Sequence, residues 1–432
     1  MTAARREAKR TVPAAAARTA AVLGAVALAA GCGPTASTPV RDVVPTSVAP
    51  TTTAPATTAP PTTTLPATVP TTVPTPVAAV PGWSAPATAL PPVGGFTSLS
   101  CISDVFCLAA GGGSNEADAS GSTGPGAVAA WDGATWGTPV TYFAASPGTS
   151  PPPWLPAISC TDGPLCAVVD GSGHTSLGDG TNWWPPVALA AVPSPAPDPT
   201  DPGPGHPGSR TAAVACLDSQ FCAYVDNTGH VATMHGTTWS PPRVFTTPVG
   251  SSAVDLFQFG RVAVSCATTT SCTALVGGTE LDWDGAAWNR SAAPWGPSAV
   301  IGDTAVSCPA PGTCTAVHGS SVSTRTAGSG WSAPQPIDAN GGLDAVSCPS
   351  TAVCVAADAT GDVLRSSGGA WGPPVKVVPT PTAYTGDGTS LSCGSEQFCM
   401  VLTGDGDYTT YQGVTPPGDP GLPSAPATVP GA

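Results

Sequence analysis

Charge is what this chain has least of. Only 9% of its 432 residues are Asp, Glu, Lys or Arg, too few for the ion-paired surfaces of solvent-exposed helices. Basic residues are the scarcer kind, 13 against 27 acidic, giving a formal net charge of −14. That balance excludes nucleic acid as a partner, because phosphates demand Lys and Arg. It also excludes electrostatic docking on anionic lipid headgroups. Glutamate is rare: beyond residue 31 there are only Glu116, Glu280 and Glu396, and they fall in different repeats, which gives acid–base catalysis little to work with. The apolar stretch over residues 20–30 is too short to span a bilayer.

What is abundant is Gly (51) and Pro (53), a composition suited to short strands joined by turns. The N-terminus reads as a targeting segment. Arg5, Arg6, Lys9, Arg10 and Arg18 form a basic region ahead of that apolar stretch. Leu28-Ala29-Ala30-Gly31-Cys32 follows, and it resembles the lipobox of bacterial lipoproteins. The resemblance implies cleavage after Gly31 and lipidation of Cys32, hence export and anchoring to the outer face of the cytoplasmic membrane. Residues 32–81, dominated by Pro, Thr, Ala and Val, are expected to be a stiffened tether, and their Thr content fits an O-glycosylated stalk. Residues 416–432 form a similar tail.

There are 15 cysteines. Apart from Cys32 they form seven pairs of one spacing: Cys101/Cys107, Cys160/Cys166, Cys216/Cys222, Cys266/Cys272, Cys308/Cys314, Cys348/Cys354 and Cys393/Cys399. The pairs recur at a step that shortens to about forty residues, the size of one propeller blade. Export to an oxidising compartment favours disulfides over zinc. In the chain-entropy model each such small ring contributes about 2 kcal/mol.

The surroundings of each pair repeat too. A strand with Ala or Ser at the first and third positions before the Cys leads in, as in Ala305-Val306-Ser307. A second strand follows the pair, then an Asp/Gly turn such as Asp170-Gly171-Ser172-Gly173, then a third strand. A Gly three residues before a Trp closes the unit, as in Gly133/Trp136 and Gly285/Trp288, in several cases with Asp before the Gly, a strong hairpin signal. Pro three residues after the Trp recurs, which places that fourth strand at an outer edge. The seventh unit lacks its Trp strand. Gly82-Trp83-Ser84-Ala85-Pro86, which repeats Gly330-Trp331-Ser332-Ala333-Pro334, stands before the first unit and supplies it.

The expected fold is therefore all-β: a seven-bladed β-propeller over residues 82–415, of four-stranded blades (a to d, inside to outside), one disulfide hairpin per blade. An N-terminal strand completes the last blade, which removes exposed sheet edges. The small residues of strand a suit a crowded axis. These units resemble the sialidase-type (Asp-box) repeats of secreted bacterial propellers, which place Asp, Gly and Trp in the turn before an outer strand.

The a–b loops and c–d turns are short and alike, so one face of the ring is expected to be uniform. The b–c loop of the first blade and several d–a connections are long, and all lie on the opposite, variable face, where a scaffold carries binding. Tyr142, Trp154, Phe245, Phe257, Trp295 and Tyr384 fall there and form the expected binding face, for a protein or an envelope glycan. The expectation is a monomeric binding or assembly module without cofactor or metal. The histidines have no metal spacing, and Asx-turn chemistry accounts for the Asp-rich turns. The alternative activity is a sialidase-like, glycan-active hydrolase. It would need an arginine triad, and no spacing groups three of Arg210, Arg243, Arg261, Arg290, Arg325 and Arg365.

Overall fold

The computed structural model describes residues 80–88, 96–111, 126–143, 156–163, 165–170, 173–189, 211–227, 229–245, 262–276, 278–296, 304–339, 342–380 and 388–413. They form seven antiparallel sheets and, among the described residues, no helix. The inner strands, a, neighbour one another in a closed circle, blade 1 meeting blade 7.

Blade 1 runs Phe96–Ser103, Phe106–Gly111, Gly126–Trp131 and Val140–Phe143, in the order a to d. Blade 2 begins with Ala157–Cys160, blade 3 with Ala212–Asp218 and blade 4 with Ala263–Thr268. Blades 5, 6 and 7 begin with Thr304–Ala310, Leu343–Ser347 and Thr389–Ser395. The closing strand Ala87–Thr88 pairs with strand c of blade 7, Asp407–Gln412, and Trp83 bridges to Tyr411. Ser84 fastens this closure. Its amide donates to the Thr410 carbonyl (2.8 Å) and its hydroxyl accepts from the Thr410 amide (3.0 Å). Ser240 and Ser332, which also follow the blade tryptophan, make the same two bonds in blades 3 and 5.

Proline decides the shape of the outer strand. In six blades a Pro lies three residues beyond the Trp, and the ladder breaks there, resuming as a short separate segment such as Val187–Ala188 or Gln335–Pro336. In blade 4 that position is Ser291, and strand d runs unbroken as Trp288–Ala292. A missing amide hydrogen is enough to account for the difference.

Each blade carries one disulfide between its two innermost strands. In blades 1 to 4 these are Cys101–Cys107, Cys160–Cys166, Cys216–Cys222 and Cys266–Cys272. In blades 5 to 7 they are Cys308–Cys314, Cys348–Cys354 and Cys393–Cys399. The Cα atoms of every pair are 4.1 Å apart or less. In five blades the two cysteines are also direct partners in the strand ladder. In blades 5 and 6 the regular pairing stops one residue earlier, at Ser307 with Thr315 and Ser347 with Val355, and the disulfide itself continues the register. The second Cys of every pair stands in strand b and is buried: Cys107, Cys166, Cys222, Cys272, Cys314, Cys354 and Cys399. These fourteen residues therefore belong to the frame of the blades, and the strand b members offer no thiol chemistry to solvent.

Seven apolar clusters fill the seams between blades. Phe221, Leu281 and Trp288 pack the seam of blades 3 and 4, and Phe96, Trp131 and Met400 that of blades 7 and 1. Burying each such side chain stabilises the ring by about 1.5–3 kcal/mol.

The small residue before the first Cys has a second purpose besides fitting the axis. Where it is Ser, its hydroxyl accepts the Cys amide of the next blade. Cys160 donates to Ser100, Cys216 to Ser159, Cys308 to Ser265 and Cys348 to Ser307, each at 2.9 Å. Cys393 donates to Ser347 (3.0 Å) and Cys101 to Ser392 (2.9 Å). Blade 3 carries Ala215 at this position, which has no hydroxyl to offer Cys266 of blade 4. The circle of side-chain bonds is thus complete at six seams and open at one.

Candidate binding face and axial cavity

In blades 1, 2 and 4 an aspartate builds the c–d turn of the uniform face. Asp132 accepts from the amides of Ala134 (2.9 Å) and Thr135 (2.8 Å), Asp179 from Thr181 and Asn182, and Asp284 from Ala286 and Ala287. Those backbone amides hold all three carboxyls below the usual range, so the turns stay ionised in mild acid. The Gly after each Asp must turn left-handed; Gly133 has φ 98°.

At the variable face, Asp170 directly follows strand b of blade 2, and strands b of blades 3 and 6 end in Asp226 and Asp358; all three are buried. Each carboxylate accepts the amide four residues on: His174 (2.9 Å), His230 (3.0 Å) and Asp362 (2.8 Å). The first two aspartates also hold imidazoles, with Asp170 3.3 Å from His174 Nδ1 and Asp226 3.1 Å from His230 Nδ1. The side-chain bond to Asp170 raises the His174 pKa, against the opposing effect of burial. Among the described residues, no group of three or more His, Cys, Asp or Glu side chains gathers to hold a metal ion.

The first halves of the seven inner strands surround a cavity of 240 Å³ on the axis. Chain direction fixes which end this is. Strand a is entered from a d–a connection, so the cavity lies at the variable face and the Ser–Cys ring at the uniform one. Thr304, Asp344, Thr389, Ser390, Ser98 and Thr211 supply polar groups to the wall from blades 5, 6, 7, 1 and 3, and apolar residues from every blade, Leu99, Val262 and Leu391 among them, complete it. Among the described residues of this lining Asp344 is the one carboxylate, and none is Arg, Lys or Glu.

A β-bulge places Asp344 there. Leu343 pairs with Asp358 and Ala345 with Ala357, leaving Asp344 as an extra residue in strand a of blade 6. In blade 5 the equivalent residue, Thr304, pairs regularly with His318. The Asp344 carboxylate accepts the amide of Thr389 in blade 7 at 2.9 Å.

Three residues of the expected binding face lie among the described ones, and each packs against the scaffold. Tyr142 is 8% exposed and sits in the seam of blades 1 and 2, its ring 6.1 Å from that of Trp183. Burial drives its phenol pKa far up, with the Asp170 carboxylate adding to the effect. Gly126 makes the room, since a Cβ there would meet the Tyr142 ring at 2.6 Å. Phe245 is half-buried against the seam of blades 3 and 4. Trp295 stacks on His318 with ring centroids 4.7 Å apart. Trp154, Phe257, Tyr384 and Cys32 lie outside the described residues.

Two features escaped the sequence reading. The first is the exposure of apolar side chains at the outer edges of three consecutive blades, Val140, Trp184, Val187 and Val244, with Trp184 54% exposed. The second is an ionic seam between blades 4 and 5. Arg325 donates to both oxygens of Asp282, at 3.0 and 3.1 Å, and also pairs with Glu280. Ser291 (2.6 Å) and Trp331 Nε1 (2.9 Å) donate to the same Glu280 carboxylate, which is 3% exposed. Burial raises the Glu280 pKa, with the Ser291 bond opposing it most. Both partners stand in strands c of adjacent blades, on facing surfaces. A charged pair in strands otherwise patterned for a core was the available signal.

No protein-family model matches the chain, and no curated protein matches it. Solved structures do. A structure of YCF48 bound to D1 peptide superposes with a TM-score of 0.50 at 13% identity, covering 78% of this chain and 99% of that one. YCF48 from Cyanidioschyzon merolae gives 0.47 at 15% identity, with 76% and 98% covered. Virginiamycin B lyase from Staphylococcus aureus gives 0.51 at 7% identity, with 77% and 100% covered. At these identities the likeness is one of fold, and the same fold serves a peptide-bound protein and a lyase.

Proposed function

We propose that this propeller is an exported, lipid-anchored binding or assembly module of the cell envelope, working as a monomer through its variable face. Lipid on Cys32 and the tether after it attach the head to the outer face of the cytoplasmic membrane. The observation that carries the reading is the axial cavity, which lies at the same face as the long connections, opposite the uniform turns. Rigid blades with variable loops around a central recess suit recognition. A protein ligand is preferred to an envelope glycan because a structurally similar propeller has been solved with a bound peptide.

For the hydrolase alternative, the described residues of this recess supply one carboxylate and no arginine. Arg325 and Arg365 stand far from it, toward the uniform face, in the seams of blades 4 with 5 and 6 with 7.

The test is capture of envelope proteins by the immobilised protein, run beside a glycan array. Trp154→Ala and Phe257→Ala, at positions that the sequence assigns to the connections of the variable face, are expected to reduce binding at least tenfold. Asp104→Ser on the uniform face is expected to leave it unchanged. The reverse pattern would overturn the assignment of the face.

A further inference from the structure

Strand d of blade 4 is the outer edge that no proline interrupts. In blades 2, 3, 5, 6 and 7 the segment beyond the Pro is two residues long, as in Arg243–Val244 and Val375–Lys376. In blade 1 the resumed strand carries a bulge at Tyr142, since Thr141 pairs with Ala127 and Phe143 with Gly126. Broken and bulged edges resist pairing with another chain. Blade 4 has neither device. Trp288–Ala292 pairs in unbroken register with Thr279–Trp283 and, among the described residues, ends its sheet.

The disulfide tells which groups this edge presents. The Cα atoms of Cys266 and Cys272 are 3.9 Å apart, as in a non-hydrogen-bonded pair. Bonded and non-bonded pairs alternate outward from there. Trp288 and Ala292 therefore stand opposite Trp283 and Thr279 without backbone bonds to them, and aim amide and carbonyl away from strand c. Donors and acceptors at that spacing match an extended polypeptide.

The side chains select its charge. Arg290 lies opposite Leu281, and Arg243 of blade 3 lies opposite Val231. Leu281 and Val231 pack in one seam, so the two exposed arginines stand on facing surfaces of blades 3 and 4. Arg290 also donates to the Thr279 hydroxyl (3.3 Å). The acidic Asp282 and Glu280, opposite Asn289 and Ser291, belong to the other surface of blade 4, where Arg325 pairs with both. A second copy, in the register that uses the whole strand, would set Arg290 against Arg290.

We propose that the outer edge of blade 4 takes up an extended acidic segment of a partner protein as an added strand, its backbone on Trp288 and Ala292 and its carboxylate beside Arg290 and Arg243. The edge is on the rim of the ring, so the proposal stands independently of the reading of the variable face.

The probe is acetyl-Thr-Val-Thr-Glu-Thr-Val-Thr-amide, titrated calorimetrically into the full chain beside a Lys-centred counterpart and a form with both valines N-methylated. With Glu opposite Arg290, the valines fall opposite Trp288 and Ala292. The Glu peptide is expected to bind saturably, the N-methylated form at least tenfold more weakly and the Lys peptide at least threefold more weakly. Ala292→Pro removes an outward amide without touching the ladder and is expected to weaken the Glu peptide at least fivefold. Ser291→Pro copies what the other six blades carry and is expected to do the same in a folded protein. Ser291→Ala, which loses only the hydroxyl bond to Glu280, is expected to bind as the original does. Arg290→Glu together with Arg243→Glu is expected to reverse the preference between the Glu and Lys peptides. Equal binding of the parent and N-methylated peptides, unchanged binding by Ala292→Pro, or a preference that survives the charge reversal would overturn the proposal. So would a full chain that dimerises in sedimentation and becomes monomeric with Ala292→Pro, a result that gives the edge to a second copy.

Discussion

Replacing Ala215 by Ser should stabilise the molecule, although Ala215 touches no ligand and fills no hole. At six seams a Ser hydroxyl accepts the next blade's Cys amide, and only the amide of Cys266 faces an alanine. A net intramolecular hydrogen bond is worth about 0.5–1.5 kcal/mol. Ala215→Ser should therefore gain about 1 kcal/mol, less the small cost of fixing one hydroxyl rotor. Removing an existing bond by Ser307→Ala should lose a similar amount, about 1 kcal/mol, because it leaves the Cys348 amide without its acceptor. The two sites lie in different seams with no shared partner, so the double variant should return to the original stability within about 0.5 kcal/mol. Urea unfolding under non-reducing conditions reads all three, as shifts of the midpoint at constant slope. A neutral Ser307→Ala, or an Ala215→Ser that destabilises, would refute the claim that these hydroxyls bind the blades together.

Other substitutions address the closure, the ionic seam and the histidine turn. Trp83→Ala removes the ring that lies 5.4 Å from Tyr411 and should cost about 3 kcal/mol, read in urea and as faster proteolysis near the closing strand. Arg325→Met leaves Glu280 buried without its cation and should cost about 3–5 kcal/mol, while Arg325→Met with Glu280→Gln should recover most of it in a double-mutant cycle. His174 should titrate above its ordinary 6.5 by NMR, because of its bond to Asp170. A raised folded pKa means that its stabilisation is complete below pH 6.5 and fades as pH rises through the folded value. His174→Asn should flatten that part of the stability–pH curve, and an unchanged curve would exclude the pair as its source.

The architecture was legible because covalent chemistry repeats it. One Cys spacing marks every first hairpin, and the duplicated Gly-Trp-Ser-Ala-Pro marks the closing segment. The prolines after the tryptophans marked the outer edge strand, and the structure adds that the ladder breaks at them, blade 4 being the one without Pro and without the break. What sequence could not give was contact across seams. The serines before the cysteines looked merely small, and their bonds appear only when neighbouring inner strands are set side by side. Tyr142 looked like a loop aromatic, yet Gly126 opens a place for it inside the seam. Asp344 looked like one more residue of a strand, and only the pairing of Leu343 and Ala345 on either side exposes it as a bulge.

Entry and exit of the described chain are neighbours. The Gln412 amide donates to Gly82 (2.7 Å) and the Gly413 amide to Gln397 (2.7 Å), so both ends leave blade 7 beside a short hairpin loop. That corner is remote from the recess. Attachment at Gly82 or Gly413 therefore leaves the recess uncovered by the attachment point. A load applied between the two ends would peel the ring at its closing joint, one backbone pair at a time, before it reached the other six blades.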